Sequence, residues 1–221
     1  MAINSEPESE NQYDSVGLLM KNVDDINMEA KEIKSDIMMR LDLHSSLTRS
    51  HIDPSVLSPF QRILLTTDGT LTDILEAYLF ESVQIVKLSE ELVSLVQDIP
   101  PLELKIGTEV IERKILLQGK ISRNNFIYAE SILVPSRLDE GFKTSLLNSQ
   151  IPLGRLWLAH KMETFKEIVD SGKEPANELS YYFNIKREDN ILFRTYRLFN
   201  KRRPIMMITE KFPESSFLKK L

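Results

Sequence analysis

Two charged residues stand where a β-strand would place apolar side chains, and they restrict the fold more than any other feature of the chain. From Glu109 to Gln118, alternate positions put Ile111, Arg113, Ile115 and Leu117 on one face, with Glu112, Lys114 and Gln118 mostly on the other. Between Ile205 and Phe212, Glu210 falls in line with Met206, Ile208 and Phe212, although Ile205 and Met207 make the opposite face apolar as well. An unpaired ion in such a place costs several kcal/mol or more, about what one fully buried side chain contributes. A polar ligand answers that cost, and so does pairing of Arg113 with Glu210 or of each with a strand neighbour.

The segments around these strands predict an antiparallel sheet with short helices on one face, an α+β class. Glu109 to Gln118 and Phe126 to Val134 read as a hairpin about Gly119 to Asn125. Ile191 to Phe199 and Ile205 to Phe212 read as a second, about the basic turn Lys201-Arg202-Arg203-Pro204. Val83 to Leu88 is a further strand, the fifth of about six expected in the sheet, and Gln97 to Pro101 with its paired prolines is a loop. Ser58-Pro59 predicts the cap and first position of a helix running to Thr66. Asp68-Gly69 is a turn, and Thr70 with Asp73 predicts a capping box for a second short helix through Leu71, Ile74, Leu75 and Tyr78. Leu138 to Leu147 is helical, followed by the Pro152-Leu153-Gly154 turn. Leu158 to Val169 fits a helix through Leu158, Met162, Phe165 and Val169 and tolerates a strand at Thr164 and Ile168, so periodicity leaves both open.

Ahead of this domain, set at residues 51–221, an extension over 1–50 is expected. Its acidic start, to about Asp14, is too polar to order itself, and the spacing of Leu19, Val23, Ile26, Ala30, Ile33 and Ile37 predicts a helix from Ser15 to Leu43. The start carries Glu6, Glu8, Glu10 and Asp14 and no apolar stretch, unlike a secretory or transit peptide, so retention where the protein is made is expected: the cytoplasm, or the plastid stroma for an organelle-encoded chain.

Charge and composition remove several classes of function. The 28 basic residues are outnumbered by 33 acidic ones, for a net charge of −5, and form no long run, against a nucleic-acid surface. No apolar run approaches the ~18 residues of a membrane span. There is no cysteine, which removes thiol chemistry and cysteine-ligated metals. His44, His51 and His160 have no ligand spacing with each other or with carboxylates, so no metal is expected. A doubly wound nucleotide fold is disfavoured by the lack of βαβ units and of a Gly-rich loop. The sequence carries no signal for oligomeric state.

Six stretches in order resemble the chorismate pyruvate-lyase family, specifically a divergent branch of it: Ile63 to Thr72 (ILLTTDGTLT), Arg113 to Leu117 (RKILL), Ala129-Glu130-Ser131, Pro152-Leu153-Gly154, Glu163 to Glu167 (ETFKE) and Pro204 to Glu210 (PIMMITE). The likeness spans roughly residues 57 to 217. It implies a lyase that forms 4-hydroxybenzoate and pyruvate from chorismate without cofactor, feeding quinone or another prenylated-phenol pathway. It further implies that Arg113 grips the ring carboxylate, as a two-pronged guanidinium suits. Backbone N–H groups at Leu153 and Leu71 would help, Gly154 belonging to the same flap, and Glu210 would sit at the opposite end of the ring near the hydroxyl that survives into product. Ubiquinone-pathway members carry arginine where this chain has Glu130, while the branch it resembles more has Ala-Glu-Ser there. Glu130 is expected among the substrate-binding residues by this resemblance, and Arg194 or Arg197 in the neighbouring strand is a candidate to hold the enolpyruvyl carboxylate in place of that arginine.

Other readings stand beside these. Glu130 reads also as the structural partner of an arginine, Lys201-Arg202-Arg203 as a solvated turn, Leu153-Gly154 as a helix entry, and Met38-Met39 and Met206-Met207 as core filler. A rival function is a non-catalytic sensor of the same fold, since effector domains of transcription factors share it. Such a sensor is normally fused to a helix-turn-helix, and the roughly 50 residues ahead of the match are too few and too acidic for one, which lowers this reading without removing it.

Overall fold

The computed structural model describes residues 52–148 and 151–218. The expected acidic start, the helix over 15–43, His44, His51 and Met38-Met39 lie outside the described residues. In chain order the elements are α1 (Pro59–Thr66), α2 (Leu71–Leu79), β1 (Val83–Ser94), β2 (Glu109–Gly119), β3 (Asn125–Leu133), α3 (Glu140–Asn148), α4 (Leu153–His160), β4 (Phe165–Pro175), α5 (Ser180–Phe183), β5 (Asn190–Asn200) and β6 (Arg203–Pro213). The strands form one six-stranded antiparallel sheet in the order β1-β2-β3-β6-β5-β4, the expected α+β class. No helix among the described residues is long and apolar enough to cross a membrane.

Local chemistry accounts for most boundaries. Helix α1 starts at a capping box: the Ser58 hydroxyl accepts from the Gln61 amide, and the Gln61 side chain accepts from the Ser58 amide. The same two side chains also fasten the C-terminal segment, Ser58 Oγ donating to Phe217 O at 2.6 Å and Gln61 Nε2 to the carbonyls of Glu214 and Ser216. Helix α2 differs from expectation. Thr70 occupies the cap position, but its side chain makes no cap hydrogen bond, so the predicted box with Asp73 does not form. The stretch left open from Leu158 to Val169 is divided between both states. Lys161, left-handed at φ 49°, ends α4, and β4 begins at Phe165. In the β5–β6 hairpin only Lys201 and Arg202 turn, at φ 49° and 63°, and Arg203 and Pro204 already belong to β6, with Pro204 buried.

Two β-bulges shift the alternation of the outermost strands. In β1 the register slips between Lys87 and Ser89, so Glu90 rather than Ser89 stands opposite Arg113. In β4 it slips between Ile168 and Asp170, bringing Ser171 opposite Arg194 where Asp170 would otherwise stand. The inner face of the sheet then carries two apolar clusters. One gathers Phe60, Leu64, Leu65, Leu71 and Leu75 of α1 and α2 over Val83, Ile85, Leu117, Ile127, Leu192 and Phe212. The other gathers Phe142 and Leu146 of α3 and Leu156 of α4 over Ile111, Leu133, Leu198, Met206 and Ile208. Helices thus cover both ends of the face and leave a gap between them.

Replacing Ser58 with alanine removes the cap of α1 and the bond to Phe217 together. A loss of about 1–2 kcal/mol is expected, read as a lower midpoint in urea unfolding with an unchanged slope.

Candidate active site

The gap between the two clusters is a cavity of about 520 Å³, a size typical of small-ligand sites. Its floor is the inner face of the sheet, with Arg113, Ile115 and Leu117 from β2, Ala129 and Ser131 from β3, Ile208 and Glu210 from β6 and Tyr196 and Leu198 from β5. Its roof is made of two flaps, residues 68–72 leading into α2 and residues 152–154 leading into α4, with Trp157 beside them.

Arg113 and Glu210 occupy the positions their alternation requires. Both are buried, at 4% and 7% exposure, and both line the cavity. They do not pair with each other; of the two structural readings, the one with strand neighbours holds, each having a residue of opposite charge on the adjoining strand. Arg113 Nε lies 3.3 Å from Glu90 Oε2, without a hydrogen bond between them, and Nε and Nη2 are buried without any hydrogen-bond partner. Burial draws the guanidinium below its ordinary pKa, and Glu90 offsets part of that. Nε and Nη2 form one edge of the guanidinium, the edge that takes a carboxylate with two parallel bonds.

Glu210 is held differently. Arg194 Nε donates to its Oε2 at 2.7 Å, and the Tyr196 hydroxyl donates to its Oε1 at 2.9 Å. Burial and the adjacent Glu210 push the Tyr196 hydroxyl well above its ordinary pKa. Arg194, at 1% exposure, also donates through Nη1 to Thr67 O and so ties the first flap to the sheet. Across the register Arg113 faces Ser131, which faces Ile208, and Glu210 is the next inward residue of β6. Two strand spacings and one two-residue step separate the cation from the anion by roughly 12 Å between backbones. Both side chains point into the space between.

Leu71 and Leu153 open α2 and α4, where first-turn amides have no carbonyl of their own helix to bond. Both residues line the cavity. The flaps meet at Gly154, where a β-carbon would run into the Thr70 side chain, so glycine is what lets them touch. Arg155 then pairs with Glu76, locking α4 to α2.

Two expectations are corrected here. Glu130 points to the other face of the sheet, between the partners Lys114 and Thr209, with Tyr128 and Lys211 beside it at 3.5 Å; its ionic partner is a lysine, not an arginine, and it does not reach the cavity. Arg197 is on that face too, bonded to Glu167 and to Pro101 O, because it alternates with Tyr196 along β5. Four residues that matter at the site were not foreseen: Glu90, Tyr196, Trp157 and Lys166. Trp157 lines the cavity with its indole N–H buried and unpartnered. Tyr196 shares its face with Arg194, a signal readable by alternation, whereas Glu90 lies past the bulge that breaks the pattern of β1.

Over residues 65–219 the chain matches the family model described as Chorismate pyruvate-lyase Rv2949c-like. A Mycobacterium leprae protein named chorismate pyruvate-lyase is 33% identical over 160 residues, covering 71% of this chain and 75% of its own length. One of the same name from Mycobacterium tuberculosis is 31% identical over 170 residues, covering 71% and 80%. Among solved structures, the effector domain of PhnF from Mycobacterium smegmatis superposes with a TM-score of 0.51 at 12% identity, over 67% of this chain and 91% of that one, which shows a shared fold.

The Arg194–Glu210 pair sets up a stability test. Arg194→Met leaves the Glu210 carboxylate with the Tyr196 hydroxyl alone and is expected to cost about 3–5 kcal/mol. Adding Glu210→Gln should return part of that, and a double-mutant cycle by urea unfolding measures the coupling.

Proposed function

Because the chain belongs to the Rv2949c-like chorismate pyruvate-lyase family, we propose that it converts chorismate to 4-hydroxybenzoate and pyruvate in the cavity between its two flaps. The observation that carries this reading is the Nε–Nη2 edge of Arg113: both donors are buried without a hydrogen bond, only Nε having the Glu90 carboxylate at 3.3 Å, in a mostly apolar slot that suits a planar carboxylate. The Leu71 and Leu153 amides add donors from two helix N-termini to the same carboxylate. Glu210, fixed by Arg194 and Tyr196, meets the far side of the ring.

In the reaction the bond from C3 to the ether oxygen breaks and the hydrogen on C4 leaves as a proton. The electrons of the C4–H bond complete the aromatic ring, and enolpyruvate takes up a proton to become pyruvate. Aromatisation supplies the driving force, so the protein has to position and shield more than to activate. Arg113 and the flap amides hold the ring in register, and Glu210 holds the C4 hydroxyl and manages the proton at the C3/C4 edge. The closed flaps keep water from competing with these contacts.

Mixing purified protein with chorismate and following both products tests the reading, equal release of 4-hydroxybenzoate and pyruvate being expected. Glu210→Gln should abolish most turnover with folding intact, and Arg113→Met should raise KM about 100-fold, the worth of a buried charge-assisted pair. Tight binding of 4-hydroxybenzoate with no turnover of chorismate would instead make the protein a ligand-binding relative.

A further inference from the structure

The substrate of such a lyase carries a second carboxylate, on the enolpyruvyl ether at C3, beside C4. Its anchor must therefore lie nearer the Glu210 end of the cavity than the Arg113 end. Arg113 is at the wrong end, and Arg197 is on the wrong face. Arg194 is committed through Nε to Glu210 and through Nη1 to Thr67 O; its Nη2 is free, but the residue does not line the cavity.

Lys166 meets the requirement. It points inward from β4, two residues before Ile168, which faces Tyr196 across the register, and it lines the cavity with Thr164 and Phe165. Its ammonium sits 4.7 Å from the centre of the Tyr196 ring, the same tyrosine whose hydroxyl bonds Glu210. One of its donors goes to Gly69 O of the first flap at 3.0 Å. An ammonium has three donors, so capacity remains for an anion.

We propose that Lys166 takes the enolpyruvyl carboxylate, so that cations at the two ends of the cavity read a dianionic substrate and the flap is tied to the bound ligand through Gly69. This assignment rests on the lyase reading of the same site. It also gives the protein a means to separate substrate from product, since 4-hydroxybenzoate has one carboxylate, which Arg113 takes, and nothing to offer Lys166.

The charged and titratable groups facing Lys166 are Arg194 and Tyr196 from β5, Glu210 from β6, Asp68 from the first flap and Lys161 at the exposed end of α4. Burial, reinforced by Arg194 and opposed by Glu210 and Asp68, draws its ammonium down to about 8. Only the protonated form attracts a carboxylate. Affinity for the substrate should thus fall as pH rises through about 8, and affinity for the product should not follow it.

The test compares KM for chorismate with the inhibition constant of 4-hydroxybenzoate in the unaltered protein, Lys166→Met and Lys166→Arg. Lys166→Met should raise KM about 30-fold, as for one lost charge-assisted bond, while product inhibition changes less than about threefold. Lys166→Arg should restore most of the KM, and the decline above pH 8 should vanish in Lys166→Met. Equal weakening of both ligands, or of neither, overturns the assignment. In the unaltered protein, a rise in KM above pH 8 that Lys166→Met abolishes supports it as well. Unaltered protein that binds neither ligand is a different result, which overturns the lyase reading itself.

Discussion

Ions on the covered face of a sheet set the terms for everything around them. Arg113, Arg194 and Glu210 are all nearly inaccessible to water, and desolvating each costs more than any one apolar contact in the surrounding clusters returns. The protein answers this unevenly. Arg194, Glu210 and Tyr196 satisfy one another almost completely, which makes Glu210 rigid and fixes its direction. Arg113 is only half answered, by Glu90 at 3.3 Å from Nε without a hydrogen bond, and keeps Nη2 without a partner. The difference separates a preorganised group from one with a donor to spare, and both line the same cavity.

The roof depends on the same ions. Thr67 O accepts from Arg194 and Gly69 O from Lys166, so the first flap is drawn onto the floor by two cations that belong to the site. The second flap is drawn onto the first by the Gly154 contact and by the Arg155–Glu76 pair. The contacts that hold the flaps thus also shape the cavity, and they bring Leu71 and Leu153 to its lining.

Much of this was legible in the residues. Period-two alternation in β2 and β6 located Arg113 and Glu210, since each strand there keeps its register through the charged position. Ser58-Pro59 marked the start of α1, where cap chemistry is local. What alternation missed has a common cause. The bulge after Lys87 hides Glu90 from a count that began at Val83, and the bulge after Ile168, next to a helix end at Lys161, blurs the strand that carries Lys166. Thr70 looked like a cap by spacing, but tertiary contact with Gly154 sets the position of its side chain. Glu130 was drawn into the site by resemblance, while its place in β3 always assigned it to the other face.

Those bulges fall in β1 and β4, the two strands with a neighbour on one side only. A regular outer strand offers a straight row of unpaired amides and carbonyls that invites another chain to add itself; an irregular one interrupts that row. The insertions that deliver Glu90 and Ser171 to their partners thus also guard both margins of the sheet against unwanted self-assembly. Deleting either extra residue to regularise a strand would, on this account, cost solubility, and in β1 it would also take Glu90 away from Arg113.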